Sequence, residues 1–174
     1  MSQPDNIIQE LIYQCIFRLD DNAKRIKLCL SDLLEDEIWK KPNNASNSIG
    51  NLILHLCGNI AHFIGASLGK NGYIRDRSSE FLTRGGYTKA QLIQHLDDTL
   101  SEAKSIIKKL DSLAFLEVQT VSGFRYSGLG MVVHVVQHFA LHTGQNIFWT
   151  KILRDKDLGY SSEAPNQITK QTMH

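Results

Sequence analysis

At 174 residues, with 42% hydrophobic and 21% charged content, the chain is long enough to bury one continuous core and matches a single soluble domain. Its 19 basic and 18 acidic side chains are interspersed and give a formal net charge of +1, which excludes a basic nucleic-acid footprint and a polybasic membrane anchor. The expected partners are a small-molecule substrate and a second copy of the chain in a homodimer, with no nucleic acid and no membrane.

The opening stretch, MSQPDNIIQE, is acidic and polar where a signal peptide needs a basic start and an apolar run. Cys15, Cys29 and Cys57 are scattered, which fits a reducing compartment, and a cytoplasmic protein is expected. A first helix can start with Asp5 as N-cap after Pro4, because Ile8, Leu11, Ile12, Cys15, Ile16, Leu19, Ala23, Ile26, Leu30 and Leu33 recur at helical spacing. Turn formers between residues 37 and 48 then lead to a second helix over about residues 49–68. Residues 69–87 form a connection long enough to return along the bundle. Thr88 with Gln91 is a capping-box start for a third helix, which runs to Leu110 and ends at Asp111-Ser112.

Residues 116–126 alternate weakly around Ser122-Gly123, the pattern of a small hairpin. The last helix, over about residues 129–153, is apolar nearly all round and is expected to be the most buried of the four. The fold expected from these elements is an all-α four-helix bundle. It forms one domain over residues 1–160, followed by a polar, loose tail over 161–174.

The polar residues of the last helix need a reason. His134, His138 and His142 are four apart, and each such step turns only about 40° around the helix, so all three share a face. Neighbouring members of that row can reach one metal ion, whereas the outer two are two turns apart. Spacing alone leaves His134 with His138 and His138 with His142 as rival pairs. A third ligand can come from the second helix, where His55 lies on a stripe with Asn51, Asn59 and His62. A packed, hydrogen-bonded histidine is the simpler alternative at each position. His62 and His95 are read as surface or packing residues, and Cys57, two residues from His55, points away from it.

Three segments, NSIGNLILHLCGN at 47–59, RDRSSEF at 75–81 and HFALHTGQNI at 138–147, make the chain resemble the DinB/YfiT-like superfamily over most of its length. That resemblance implies a bundle in up-down-down-up order and a divalent metal bound by one histidine of the second helix and an H-x-x-x-H pair of the last. Position by position, these fall on His55, His138 and His142, with His134 left as a pocket-wall residue. In RDRSSEF, Arg75 or Arg77 could guide an anionic substrate group and Glu80 orient it, but a loop knitted by surface ion pairs is the favoured reading. Asn59 and Gln145 are candidates for contacts to the ligands, or for packing and capping.

The resemblance further implies a metal-dependent enzyme with Zn, Ni or Fe, most simply a thiol-dependent S-transferase in which a low-molecular-weight thiol cosubstrate attacks as a metal-bound thiolate. A hydrolase of small esters or amides and a non-catalytic, metal-stabilised binding or stress-response module are the alternatives. No carboxylate base stands near the ligand motifs in the sequence, which favours the thiol over water.

Overall fold

The computed structural model describes residues 3–159. The tail expected over 161–174 lies outside the described residues. Helix α1 spans Gln3–Asp32 and is already wound at Gln3, so it begins ahead of the start expected at Asp5. A short 3-10 turn at Glu37–Trp39 follows.

Helix α2 spans Ile49–Ile60 and begins with a reciprocal cap. Ser48 Oγ accepts from the Asn51 backbone N–H at 3.1 Å, and Asn51 Oδ1 accepts from the Ser48 N–H at 3.3 Å. The helix continues over Ala61–Leu68 in π winding, closed by the Gly69 N–H donating to the Ile64 carbonyl at 2.8 Å. The combined stretch Ile49–Leu68 is long and apolar enough to cross a membrane, but most of it is buried by its neighbours, as a core helix is.

The connection after α2 carries a helix that the sequence did not announce, α3 at Arg77–Leu82, capped by Asp76. Helix α4 spans Lys89–Ile107 behind the expected Thr88–Gln91 box. It stops short of the expected Leu110, and Asp111 proves to be a start signal: its side chain accepts from the Ala114 N–H at 2.8 Å and caps α5, Ser112–Leu116. Strands β1, Val118–Val121, and β2, Phe124–Ser127, pair antiparallel around Ser122 and Gly123, both at positive φ. Helix α6 spans Gly128–Arg154, with Ser127 accepting from the Gly130 N–H.

Contacts at the helix ends fix the directions. Lys104 pairs with Asp20 and Lys27 with Asp97, so α4 runs antiparallel to α1. Trp39 donates to the Tyr87 carbonyl near the start of α2, while Ile106 lies against Gly69 at its far end, so α2 and α4 are parallel. Arg154 bonds Glu37 and Lys156 bonds Asp32, placing the ends of α6 and α1 together. The order is up-down-down-up, and the chain is an all-α helical bundle with one small hairpin.

Burial corrects one expectation. The most buried helix is α2, all twelve of whose residues are inside. On α6 the apolar ring is wider than its core face, and Val133, Leu141, Phe148 and Ile152 are exposed. The difference arises because α2 is covered by α3, α4 and α6 at once, whereas α6 has a free side. The buried polar residues of α6 turn back on their own helix: Thr143 and Thr150 donate to the Phe139 and Asn146 carbonyls, and Asn146 to that of His142.

Candidate metal centre

Antiparallel packing of α2 on α6 brings His55 opposite His138 and His142. The three rings have one ligand atom each within 4.8 Å of the others. His55 and His138 face each other with Nε2 atoms 2.9 Å apart. Ring centroids lie 4.9 Å apart for His55 and His138, 4.9 Å for His55 and His142, and 4.4 Å for His138 and His142, all edge-on.

The far nitrogens of two rings are held by other side chains. His55 Nδ1 lies 2.8 Å from Glu80 Oε2, and His142 Nδ1 lies 2.6 Å from Gln145 Oε1. Both acceptors are oxygens, so each Nδ1 carries the proton and each Nε2 presents a lone pair. This arrangement orients metal-binding imidazoles in general. Two Nε2 atoms aimed at one another share one proton at most, and a cation between them satisfies both.

The spacing fits a small divalent ion. Nitrogens at about 2.0–2.1 Å from a tetrahedral metal stand about 3.3 Å apart, inside the range from 2.9 Å for the facing Nε2 pair to the 4.8 Å that bounds the group, so small ring movements complete the set. Among the described residues no fourth His, Cys, Asp or Glu joins the group.

Glu80 is where the structure departs furthest from the sequence reading. RDRSSEF is not a loop of surface ion pairs: its C-terminal part is α3, and Glu80 is buried. Arg75 grips the carboxylate with two bonds, Nε to Oε1 at 2.7 Å and Nη2 to Oε2 at 2.8 Å. Arg75 Nη2 also comes within 3.1 Å of His55 Nδ1, but both atoms are donors that crowd Oε2, so Glu80 is their common acceptor. Arg75 is therefore committed to Glu80, and Glu80 bonds a histidine, neither the surface partner favoured from the sequence nor a substrate group.

Helix α3 can approach this closely because residue 58 is glycine: a β-carbon there would overlap Glu80 Oε1. Asn51 pins the same helix from the other side, donating to the Glu80 and Thr83 carbonyls at 3.0 and 2.8 Å.

The electrostatics favour neutral rings at His138 and His142 and a charged carboxylate at Glu80. Burial, reinforced by His142, His55, His134 and Arg75, pushes His138 down to about 3. Burial also lowers His142, against the hydrogen bond to Gln145. Burial raises Glu80, but hydrogen bonds from His55 and Arg75 and the charge of Arg75 outweigh it, holding the carboxyl below its ordinary range. Neutral imidazoles and an ionised orienting carboxylate are the protonation states a metal requires.

Other sequence candidates fall around the trio. His134 stacks on His138 with centroids 5.6 Å apart and packs against Phe63 and Tyr126, so it lines the site without joining it. Asn59 is buried one turn from His55, but its Oδ1 has no hydrogen-bond partner among the described residues and holds no ligand in place. His62 ties the π-wound segment to the hairpin through Ser122 Oγ at 3.0 Å. Cys57 bonds Thr99 of α4, and burial pushes its thiol up to about 12, which makes it a core residue. His95 is exposed. Two site residues went unannounced in the sequence: Phe81, whose ring packs on His55 at 4.6 Å, and Gly58, whose only signal was a glycine between Cys57 and Asn59 inside a core helix.

The model of the family described as "Protein of unknown function (DUF1572)" matches residues 6–167. No curated protein matches. Among solved structures, a conserved protein from Enterococcus faecalis is similar at a TM-score of 0.69 and 14% identity, covering 83% of this chain and 97% of its own. The DinB-like protein YjoA from Bacillus subtilis is similar at a TM-score of 0.62 and 14% identity, covering 80% and 91%. These likenesses show the DinB-like fold.

Proposed function

The chain belongs to the DUF1572 family, a DinB-like family, and we propose that it is a cytoplasmic metalloenzyme that transfers a low-molecular-weight thiol onto a small electrophilic substrate. The observation that carries this reading is the convergence of His55, His138 and His142 with no fourth described ligand, an arrangement that leaves coordination positions open as catalytic sites do. A zinc, nickel or iron ion held there would lower the pKa of a thiol or water in its open position.

The protein's own groups divide the remaining work. His55, His138 and His142 bind, Glu80 and Gln145 set the ring orientations, and Arg75 holds Glu80 in place. Although Glu80 is a carboxylate at the site, both its oxygens are engaged, so it is not free to take a proton from water. A thiol loses its proton more readily than water and needs no such base, which favours thiol transfer over hydrolysis. In the reaction a sulfur–carbon bond forms, the leaving group departs with its bonding pair, and the thiol proton passes to solvent.

The test is incubation of zinc-, nickel- and iron-loaded protein with a panel of small thiols and model alkyl and epoxide electrophiles, with conjugates detected by mass spectrometry. Conjugation that depends on His138 is expected. Cleavage of model esters without thiol transfer would replace this reading with a hydrolase, and no turnover of either kind would leave a metal-stabilised binding module.

A further inference from the structure

The two arginines flanking Asp76 have different fates. Arg75 is spent on Glu80, whereas Arg77 is exposed and forms no hydrogen bond or ion pair with another described residue. Its guanidinium carbon instead lies over the Phe81 ring, 4.9 Å from the centroid. The same ring packs on His55 with centroids 4.6 Å apart. Arg77 is thus linked to the candidate ligand His55 through one phenyl ring.

No described carboxylate forms an ion pair with it. Asp76 accepts from the Ser79 N–H as the cap of α3, and the charge of Glu80 is answered by Arg75. Stacking on a phenyl ring holds a guanidinium by its face and leaves the in-plane N–H fork outward, where it matches a carboxylate with two parallel bonds. At this edge the Arg75–Glu80 pair cancels, Asp76 offsets part of the Arg77 charge, and a divalent ion at the three histidines would make the local field positive.

We infer that Arg77 is the anchor for a carboxylate on the substrate, so that the site takes a small organic anion whose reactive end is a few bonds from its carboxylate. This rests on the metal-site reading above and deepens it by naming the substrate class.

The experiment uses cobalt-loaded protein, whose visible spectrum responds to ligands in the open position, titrated with succinate and with succinamate. Either probe can reach the metal through one carboxylate, but only succinate has a second for Arg77. The wild type is expected to bind succinate about tenfold more tightly than succinamate. Arg77→Met, which keeps the aliphatic packing on Phe81, should abolish the preference while retaining cobalt and thermal stability, and Arg77→Lys should restore part of it. A preference absent from the wild type, or unchanged in Arg77→Met, overturns the inference while the metal site stands. Failure of the wild type to hold cobalt overturns both.

Discussion

Glu80 crosses the face of Gly58 to reach His55, and the crossing leaves no room for a β-carbon at residue 58. A glycine inside a helix ordinarily costs about 1 kcal/mol relative to alanine. Here it admits the carboxylate that orients a candidate metal ligand. Gly58→Ala should therefore leave α2 helical yet displace α3, lowering metal affinity about tenfold or more in competition with a chromogenic chelator. Unchanged affinity would show that Glu80 does not matter to the site.

The Arg75–Glu80 pair is buried, with side chains only 12% and 7% exposed. Glu80→Gln should cost about 3 kcal/mol in urea unfolding, because it strands a buried guanidinium. Combining Arg75→Met with Glu80→Met should recover much of that loss, because neither charge then remains. Additive losses in the double variant would contradict the coupling.

Acid should weaken the fold from an unusually high pH. An unfolded histidine takes up a proton near 6.5, whereas folded His138 resists until about 3, so between those values the unfolded chain binds more protons and stability falls as pH drops. His142, His134 and His62 are lowered in the same sense, chiefly by burial. Glu80, held below its ordinary range, adds its own loss only at lower pH, where carboxylates titrate. Chemical denaturation between pH 7 and 5 should show falling stability in protein stripped of metal, with a shallower slope in His138→Gln. A flat profile in the wild type would contradict the burial of these rings.

Asn59 offers a test of the opposite sign. Its buried Oδ1 has no partner among the described residues, so an apolar side chain of similar volume removes a desolvation penalty. Asn59→Leu is expected to keep or raise the melting temperature. A large drop would mean that the amide makes a bond essential to the fold.

What the sequence revealed and what it hid follow from the range of the interactions. The row of His134, His138 and His142 is local, so helical period alone put all three on one face. Choosing among them needed the partner helix, and α2 lies nearest the lower end of the row, with His55 edge-on to His138 and His142. The Thr88–Gln91 box was readable because both halves sit within four residues. Glu80 was not, since its bond to His55 spans 25 residues and depends on an absent side chain at Gly58. Asp111-Ser112 misled because the same residue types close one element and open the next. The apolar girth of α6 misled because composition cannot tell a covered face from Leu141 and Phe148 left in the open.

His55, His138 and His142 together are expected to hold one divalent ion. The most direct test is metal analysis of tag-free protein equilibrated with zinc, beside His55→Ala, His134→Ala, His138→Ala and His142→Ala. One ion per chain is expected in the wild type and in His134→Ala, with loss in the other three. Unchanged stoichiometry in His138→Ala would contradict this site.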